Sequence, residues 1–258
     1  MSLKTKSAIA IVVALPHESK AVLSQMKVSA KTKYHQIKLY EGTIKQTPCH
    51  LVITGMGLER AYEGTRFFLE TQKPQYLINM GYAGGLDPEI KNPEMILADK
   101  ISLYDEEKKN KSCHEHEIQL KLPLLEKIRK ILQKENEKFH QGKLLSARHP
   151  ILQSNKKLEL HESLEAIAID MESYSVIQAA NEKNIPAISM RFIVDAQKEE
   201  LSDTSSFIDD TGKVKPLSLI TTSAKNPKIL LELPSLAMLA QKARQHMEET
   251  LMMILEHL

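Results

Sequence analysis

Short apolar runs alternate with amphipathic segments along most of the chain. Runs rich in Ile, Val and Leu predict eight β-strands, at Ala8–Leu15, Gln36–Glu41, His50–Thr54, Gln75–Met80, Met95–Leu103, Lys143–Ala147, Ala166–Asp170 and Ala187–Val194. Helical periodicity predicts helices at Glu18–Gln25, Glu59–Gln72, Leu124–Glu137, Lys156–Ser163, Ser173–Lys183 and Ser235–His257, the last with Ser235 as its N-cap. This order predicts an α/β fold in which helices flank a central mixed, mostly parallel twisted sheet.

Nothing in the chain marks a domain boundary, because it has no internal repeat and no long linker. All 258 residues are therefore predicted to form a single domain. The polar stretch from Gln197, over residues 197–215, is predicted to be a mobile loop.

Three carboxylates follow predicted strands. The segments "AIAID" and "IPAISMRFIVDA" flank a predicted helix and so predict a right-handed βαβ unit with parallel strands. Glu172 and Asp195 would then lie at the carboxyl edge of the sheet, and Glu18 would follow the first strand at the same edge. Any one of these acids alone is better explained as a solvated residue, or as a helix cap in the case of Asp170. Together they predict a ligand site.

Two glycine-containing segments are predicted to form turns at this edge. "TGMGLERA" spans residues 54–61 and "NMGYAGGL" spans residues 79–86. Glycine lets the backbone approach a ligand closely. Arg60 breaks the G-x-G-x-x-G pattern, which argues against a dinucleotide site.

The motifs "VALPHES", "TGMGLERA", "NMGYAGGL" and "AIDMES…IPAISMRFIVDA" occur in order over about residues 8 to 196. In this they resemble the nucleoside phosphorylase/nucleosidase superfamily, which includes the methylthioadenosine/S-adenosylhomocysteine nucleosidases. Within it, "GMGLERA", "AGGLDP" and the ending "GKVKP…NPKILLELPSLAMLAQKA" are most similar to the hopanoid-biosynthesis-associated phosphorylase-like branch. The resemblance implies the nucleoside phosphorylase-like fold, a purine nucleoside as substrate and at least a homodimer, with a neighbouring chain closing the 5′ end of the site.

The resemblance also implies roles for individual residues. Glu18 would activate the attacking water, Glu172 would bind the ribose hydroxyls and Asp195 would serve the purine N7. Met171 would lie against the ribose and base. The remaining substrate-binding residues would be Tyr82, Ala83, Gly84 and Ile151. Nucleosidases usually carry a small residue at the position of Tyr82.

Cleavage of an N-glycosidic bond calls for one protonated and one ionised carboxyl group, because the purine leaves with a proton and the sugar becomes cationic. Asp195 ends an apolar strand, which predicts a raised pKa and the role of proton donor. Glu18 lies beside polar His17 and Ser19 and is predicted to be ionised. His17 is an alternative base, although a histidine at a helix start is more often a surface or capping residue.

Water is the predicted nucleophile. Members that use phosphate place an arginine and a serine where this chain has Asn79 and Tyr82, and only Arg60 remains as a possible cation. The alternatives are a phosphate-dependent nucleoside phosphorylase, a hopanoid-pathway adenosylhopane nucleosidase or phosphorylase, and a non-catalytic nucleoside-binding protein. The presence of all three acids favours an enzyme.

Composition limits the partners. The 35 basic and 33 acidic residues are scattered, which argues against a nucleic-acid surface. Two cysteines suit a reducing cytoplasm, and the apolar stretch at residues 8–15 is too short for membrane insertion. No cofactor is predicted. The two histidines of "CHEHE", residues 113–117, are better explained as a polar loop than as a metal site.

Overall fold

The computed structural model describes residues 8–106, 116–120, 122–197 and 228–258. The strands in these ranges are β1 (Ile9–Val13), β2 (Met26–Tyr34), β3 (Ile37–Ile44), β4 (Thr47–Ile53), β5 (Tyr76–Gly85), β6 (Met95–Tyr104), β7 (Glu117–Gln119), β8 (Phe139–Ala147), β9 (Ala166–Asp170) and β10 (Ala187–Asp195). The helices are α1 (Pro16–Leu23), α2 (Leu58–Thr71), α3 (Leu122–Lys134), α4 (Ser154–Leu164), α5 (Ser173–Glu182) and α6 (Lys228–His257).

The strands form one mixed sheet in the order β10-β6-β8-β9-β5-β1-β4-β3-β2, with β7 beside β6 and a further pairing between β10 and β5. Strands β4, β1, β5 and β10 are parallel to one another, and β6, β8 and β9 form a second parallel set. Antiparallel pairs join the two sets, so β5, β10, β6, β8 and β9 close into a ring. The predicted α/β class with a mixed sheet and flanking helices is confirmed.

Helices cover both faces of the central strands, and this explains why β1 is buried at all five positions. Alternate side chains of a strand point to opposite faces. Ile9, Ile11 and Val13 therefore pack into a core with α1, α3 and α6. Ala10 and Val12 pack into a second core that includes residues of α2 and α5.

Several predicted elements differ in the structure. Strands β2 and β7 were not predicted. β2 forms an antiparallel hairpin with β3, and nearly every side chain of β2 is exposed. "NMGYAGGL" is not a turn, because β5 runs through its glycines to Gly85. "TGMG" is a turn as predicted, since Gly55 and Gly57 have φ angles of 92° and 99° at the start of α2.

The prediction that β9 and β10 are parallel is wrong. β10 runs parallel to β5, whereas β9 pairs antiparallel with β5. The sheet curls until β9 meets the far end of β5, a long-range closure that local patterns do not encode. Gly84 lies opposite Ile169 of β9 and also opposite Asp195 of β10. The ends of β9 and β10 thus meet at Gly84 by ring closure, and not at a shared carboxyl edge.

The last helix is longer than predicted. It begins at Lys228, so Ser235 lies inside it and is not its N-cap. The apolar pattern of "KILLEL" precedes Pro234, and the helix runs through this proline although prolines are usually tolerated only in the first turn of a helix. The predicted mobile loop lies outside the described residues except for Gln197. Within the described segments, no helix combines the length and apolar character needed to cross a membrane.

Candidate active site

One cavity of about 190 Å³ contains all of the predicted site residues. It lies where the first strand ends, where β5 passes its glycines, and where β9 and β10 end. Its walls include the predicted residues Glu18, Tyr82, Ala83, Gly84, Ile151, Met171, Glu172 and Asp195. The structure therefore brings together eight residues that are up to 177 positions apart in sequence, counting from 18 to 195.

Glu18 is held by backbone donors on two elements. Its Oε2 accepts hydrogen bonds from the N–H groups of Ala14 and Leu15 at 3.0 and 2.7 Å. Its Oε1 accepts one from the N–H of Tyr82 at 3.0 Å. Because Glu18 lies in the first turn of α1, its carboxylate can reach back to the strand end that precedes the helix. The group is buried and its position is fixed.

A buried ion pair supports the site from behind. The Nε of Arg191 donates to Asp170 Oδ2 at 2.6 Å and to Ser173 Oγ at 3.0 Å. Asp170 also accepts from Ser146 Oγ at 2.5 Å and from the N–H of Ser173 at 3.1 Å. Asp170 therefore caps the start of α5, as the sequence suggested, and also neutralises Arg191. Sequence analysis missed this role of Arg191.

Glu172 is a carboxyl group of the cavity wall whose pKa is raised. Burial raises the pKa of Glu172 from 4.5 to about 8, and the negative charges of Asp170 and Glu18 act in the same direction. Arg191 and the N–H of Gly57, which donates to Glu172 Oε1 at 2.9 Å, oppose this rise in pKa. The raised pKa of Asp195 stays a prediction.

This shift predicts a dependence of stability on pH. Between about pH 4.5 and 8 the folded protein keeps a proton on Glu172 that the unfolded chain has lost, so the free energy of unfolding falls as pH rises. In Glu172→Gln this contribution is absent. We therefore expect the free energy of unfolding of the variant to fall by about 1–3 kcal/mol less than that of wild type between pH 5 and pH 8. Urea unfolding at several pH values measures the difference. Exposed Glu162→Gln is the control and should follow wild type; parallel curves for Glu172→Gln and wild type would contradict the shift.

Asp195 has an ionic partner that sequence analysis missed. Lys157 Nζ lies 2.6 Å from Asp195 Oδ2, and the lysine side chain has no exposed surface. An ammonium at this distance favours the ionised carboxylate. The available signal was helical spacing, since Lys157 shares the buried face of α4 with Leu160 and Leu164.

Tyr82 connects the cavity to the C-terminal helix. Its ring stacks on that of His17 with centroids 5.2 Å apart, and its hydroxyl donates to the carbonyl of Ala240 at 3.1 Å. Burial is the main cause that raises the pKa of this phenol, and Glu18 adds to it. Tyr82 is therefore a neutral donor fixed at the cavity wall.

Asn79 and Arg60 do not line this cavity. The amide of Asn79 is buried 3.0 Å from Ser173 Oγ, and with its oxygen facing Arg191 it accepts from Nη2 at 3.0 Å. Arg60 lines a neighbouring cleft with Gly57 and Arg148. In the part of the chain that the structure describes, no cluster of three or more His, Cys, Asp or Glu side chains is arranged to hold a metal ion. The first three residues of "CHEHE" lie outside that part.

Comparison with known proteins gives a consistent result. The profile of the phosphorylase superfamily matches residues 8–222. A 5′-methylthioadenosine/S-adenosylhomocysteine nucleosidase of Buchnera aphidicola is 28% identical over 222 residues, which cover 83% of this chain and 90% of the relative.

Two solved structures share the fold. The Neisseria meningitidis nucleosidase of the same name, in complex with methylthio-immucillin-A, has a TM-score of 0.76 at 16% identity, covering 98% of this chain and 100% of that one. The futalosine hydrolase of Helicobacter pylori has a TM-score of 0.76 at 15% identity, covering 98% and 99%.

Proposed function

The chain belongs to the phosphorylase superfamily, and we propose that it hydrolyses the N-glycosidic bond of a purine nucleoside of the adenosine type with a 5′ substituent. The observation that carries the proposal is the convergence of Glu18, Glu172 and Asp195 on one buried cavity. The relatives named as nucleosidases support the same activity. A non-catalytic nucleoside-binding protein would need no third, water-orienting carboxylate.

Each acid has a separate task in this reaction. Glu172, beside the N–H of Gly57, binds the ribose hydroxyls. Asp195 faces the purine N7 and donates the proton that the departing base takes up. The electrons of the glycosidic bond pass to the purine, water adds to the anomeric carbon, and the proton released by that water goes to Glu18.

The charge of the cavity suits a cationic transition state. Asp170 lines the cavity with the three acids, whereas the lining within the described residues includes no lysine or arginine. Carboxylates fixed in a buried site stabilise positive charge that develops on the sugar. The described lining offers no lysine or arginine side chain to bind phosphate, which supports water as the nucleophile.

The choice of nucleophile gives a direct test. Incubation with a panel of purine nucleosides, including 5′-methylthioadenosine, should release free base equally well with and without phosphate. Mass spectrometry should identify the free sugar and not the sugar 1-phosphate. Strict dependence on phosphate would establish the phosphorylase alternative, preference for an adenosylhopane would establish the hopanoid-pathway alternative, and binding without base release would establish the binding protein.

The assembly is a separate prediction. Met238 lies on α6 two residues before Ala240, whose carbonyl accepts from Tyr82 of the cavity wall, and it exposes 57% of its surface. Exposed apolar surface near a site is consistent with cover by a second copy. We expect light scattering to give at least a dimer, with Met238→Glu weakening association. A monomeric wild-type species with full activity would contradict this prediction.

A further inference from the structure

Lys157 is placed to act on the chemistry although it does not line the cavity. Its Nζ donates to Asp195 Oδ2 at 2.6 Å and to the carbonyl of Ala196 at 3.3 Å. The end of β10 is held against the same helix by Gln197, whose Nε2 donates to the carbonyl of Ser154 at 2.9 Å. The start of α4 and residues 195–197 therefore form one fixed unit behind the base side of the cavity.

A contribution to stability does not explain why Lys157 is paired with Asp195 in the interior. A lysine ammonium with no exposed surface loses its hydration, and buried ion pairs can often be replaced by apolar residues at little or no cost in stability. Leu160 and Leu164 occupy the same buried face of α4, so an apolar residue would suit position 157. The placement of Lys157 directly behind Asp195 therefore indicates a role in the reaction.

We propose that Lys157 is a positioning residue for Asp195 and the source of the proton that Asp195 delivers to the departing purine. The inference rests on the function proposed above. It resolves a difficulty in that function, because Asp195 held as a carboxylate by an ammonium has no proton of its own to give.

The proton balance is simple. A proton moves from Lys157 Nζ to Asp195 Oδ2, and the carboxylic acid so formed donates it to a ring nitrogen of the base as the glycosidic bond breaks. The first transfer converts a buried ion pair into two neutral groups, which removes the cost of keeping two charges away from water. Asp195 ends as a carboxylate and Lys157 as a neutral amine, which takes a proton from water after the base leaves.

Two substitutions separate proton supply from positioning. Lys157→Met removes the charge and the proton. Lys157→Arg keeps a cation beside Asp195, but a guanidinium does not release its proton. Lys156→Met is the matched control, because Lys156 is the adjacent residue and pairs with Glu159 at 2.9 Å near the surface. For each variant, kcat is measured with 5′-methylthioadenosine, and Kd is measured by calorimetry with a 9-deazaadenosine analogue, which cannot be cleaved and carries N7–H.

We expect kcat to fall by about 10²-fold or more in Lys157→Arg, as for loss of a general acid. Lys157→Met also removes the counter-charge that keeps the buried Asp195 ionised, so it should lose less activity than Lys157→Arg. In Lys157→Arg, Kd for the analogue should change less than about 10-fold, because the Asp195 carboxylate still accepts its N7–H. Lys156→Met should match wild type. Recovery of kcat in Lys157→Arg would overturn proton supply, and parallel losses of kcat and binding would show a structural role only. Absence of base release by wild-type protein would instead refute the proposed function, whatever the variants show.

Discussion

Replacing Asp195 with asparagine is expected to lower kcat by about 10²–10⁴-fold, the usual contribution of general acid catalysis. The amide has nearly the same volume and can still hydrogen-bond the base, but it cannot deliver a proton. Binding of an unreactive purine nucleoside should therefore change far less than kcat. Steady-state kinetics and calorimetry on the same preparation measure the two effects.

The pairing with Lys157 adds a second expected result. Asp195→Asn leaves a buried ammonium without its counter-charge, which costs about 3–5 kcal/mol in typical cases. The double variant Asp195→Asn/Lys157→Met should recover much of that stability while kcat stays low. An Asp195→Asn protein with near-normal kcat would remove Asp195 from the chemistry and leave it as a structural partner of Lys157.

Glu172→Gln serves as the contrasting variant. Above about pH 8, where Glu172 is ionised, a charge-assisted hydrogen bond to the ribose hydroxyls becomes a neutral one, so both KM and kcat should worsen there. If Asp195→Asn and Glu172→Gln gave the same pattern of kcat and binding, the two carboxyl groups would not have the separate tasks assigned to them.

The sequence was informative where a pattern is local and periodic. Buried runs such as β1 and amphipathic helices such as α2 show their period directly, and the four motifs contain every predicted wall residue except Ile151. The hairpin strand β2 was missed because its Lys-rich segment is exposed on both faces and so carries no alternation. The predicted direction of β9 was wrong because the closure of the ring depends on strands that are far apart in sequence.

The two buried ion pairs of the site could not be predicted from sequence for the same reason. Lys157 and Asp195 are 38 residues apart, and Asp170 and Arg191 are 21 apart. Apolar flanks at Asp195 suggested a protonated acid, but whether a buried carboxyl group is protonated depends on which cation the fold brings to it. A charged residue on an apolar helix face indicates that such a partner exists, without saying which one.

Replacing Arg191 with methionine is expected to destabilise the protein by about 3–5 kcal/mol, because it leaves Asp170 buried without its ionic partner. Arg191 has 1% exposure and is the cation whose charge lowers the pKa of nearby Glu172. Burial alone would lower the pKa of Arg191, but the charges of Asp170, Glu172 and Glu18 raise it, so the guanidinium is charged in the folded protein. Without it, the pKa of Glu172 should rise above about 8, and the ribose clamp should be neutral over a wider pH range.

Urea unfolding and the pH dependence of KM together test this expectation. The matched control is Arg129→Met, which breaks the pair of Arg129 with Glu126 at 2.5 Å on the surface. Exposed ion pairs contribute little to stability, so this control should unfold almost as wild type does. The double variant Asp170→Asn/Arg191→Met should regain part of the lost stability, since it no longer buries an unpaired charge. Equal stability losses in Arg191→Met and Arg129→Met would mean that the Asp170–Arg191 pair is as well solvated as a surface pair. The site would then lack the buried cation that balances its carboxylates, and the raised pKa of Glu172 would need another cause.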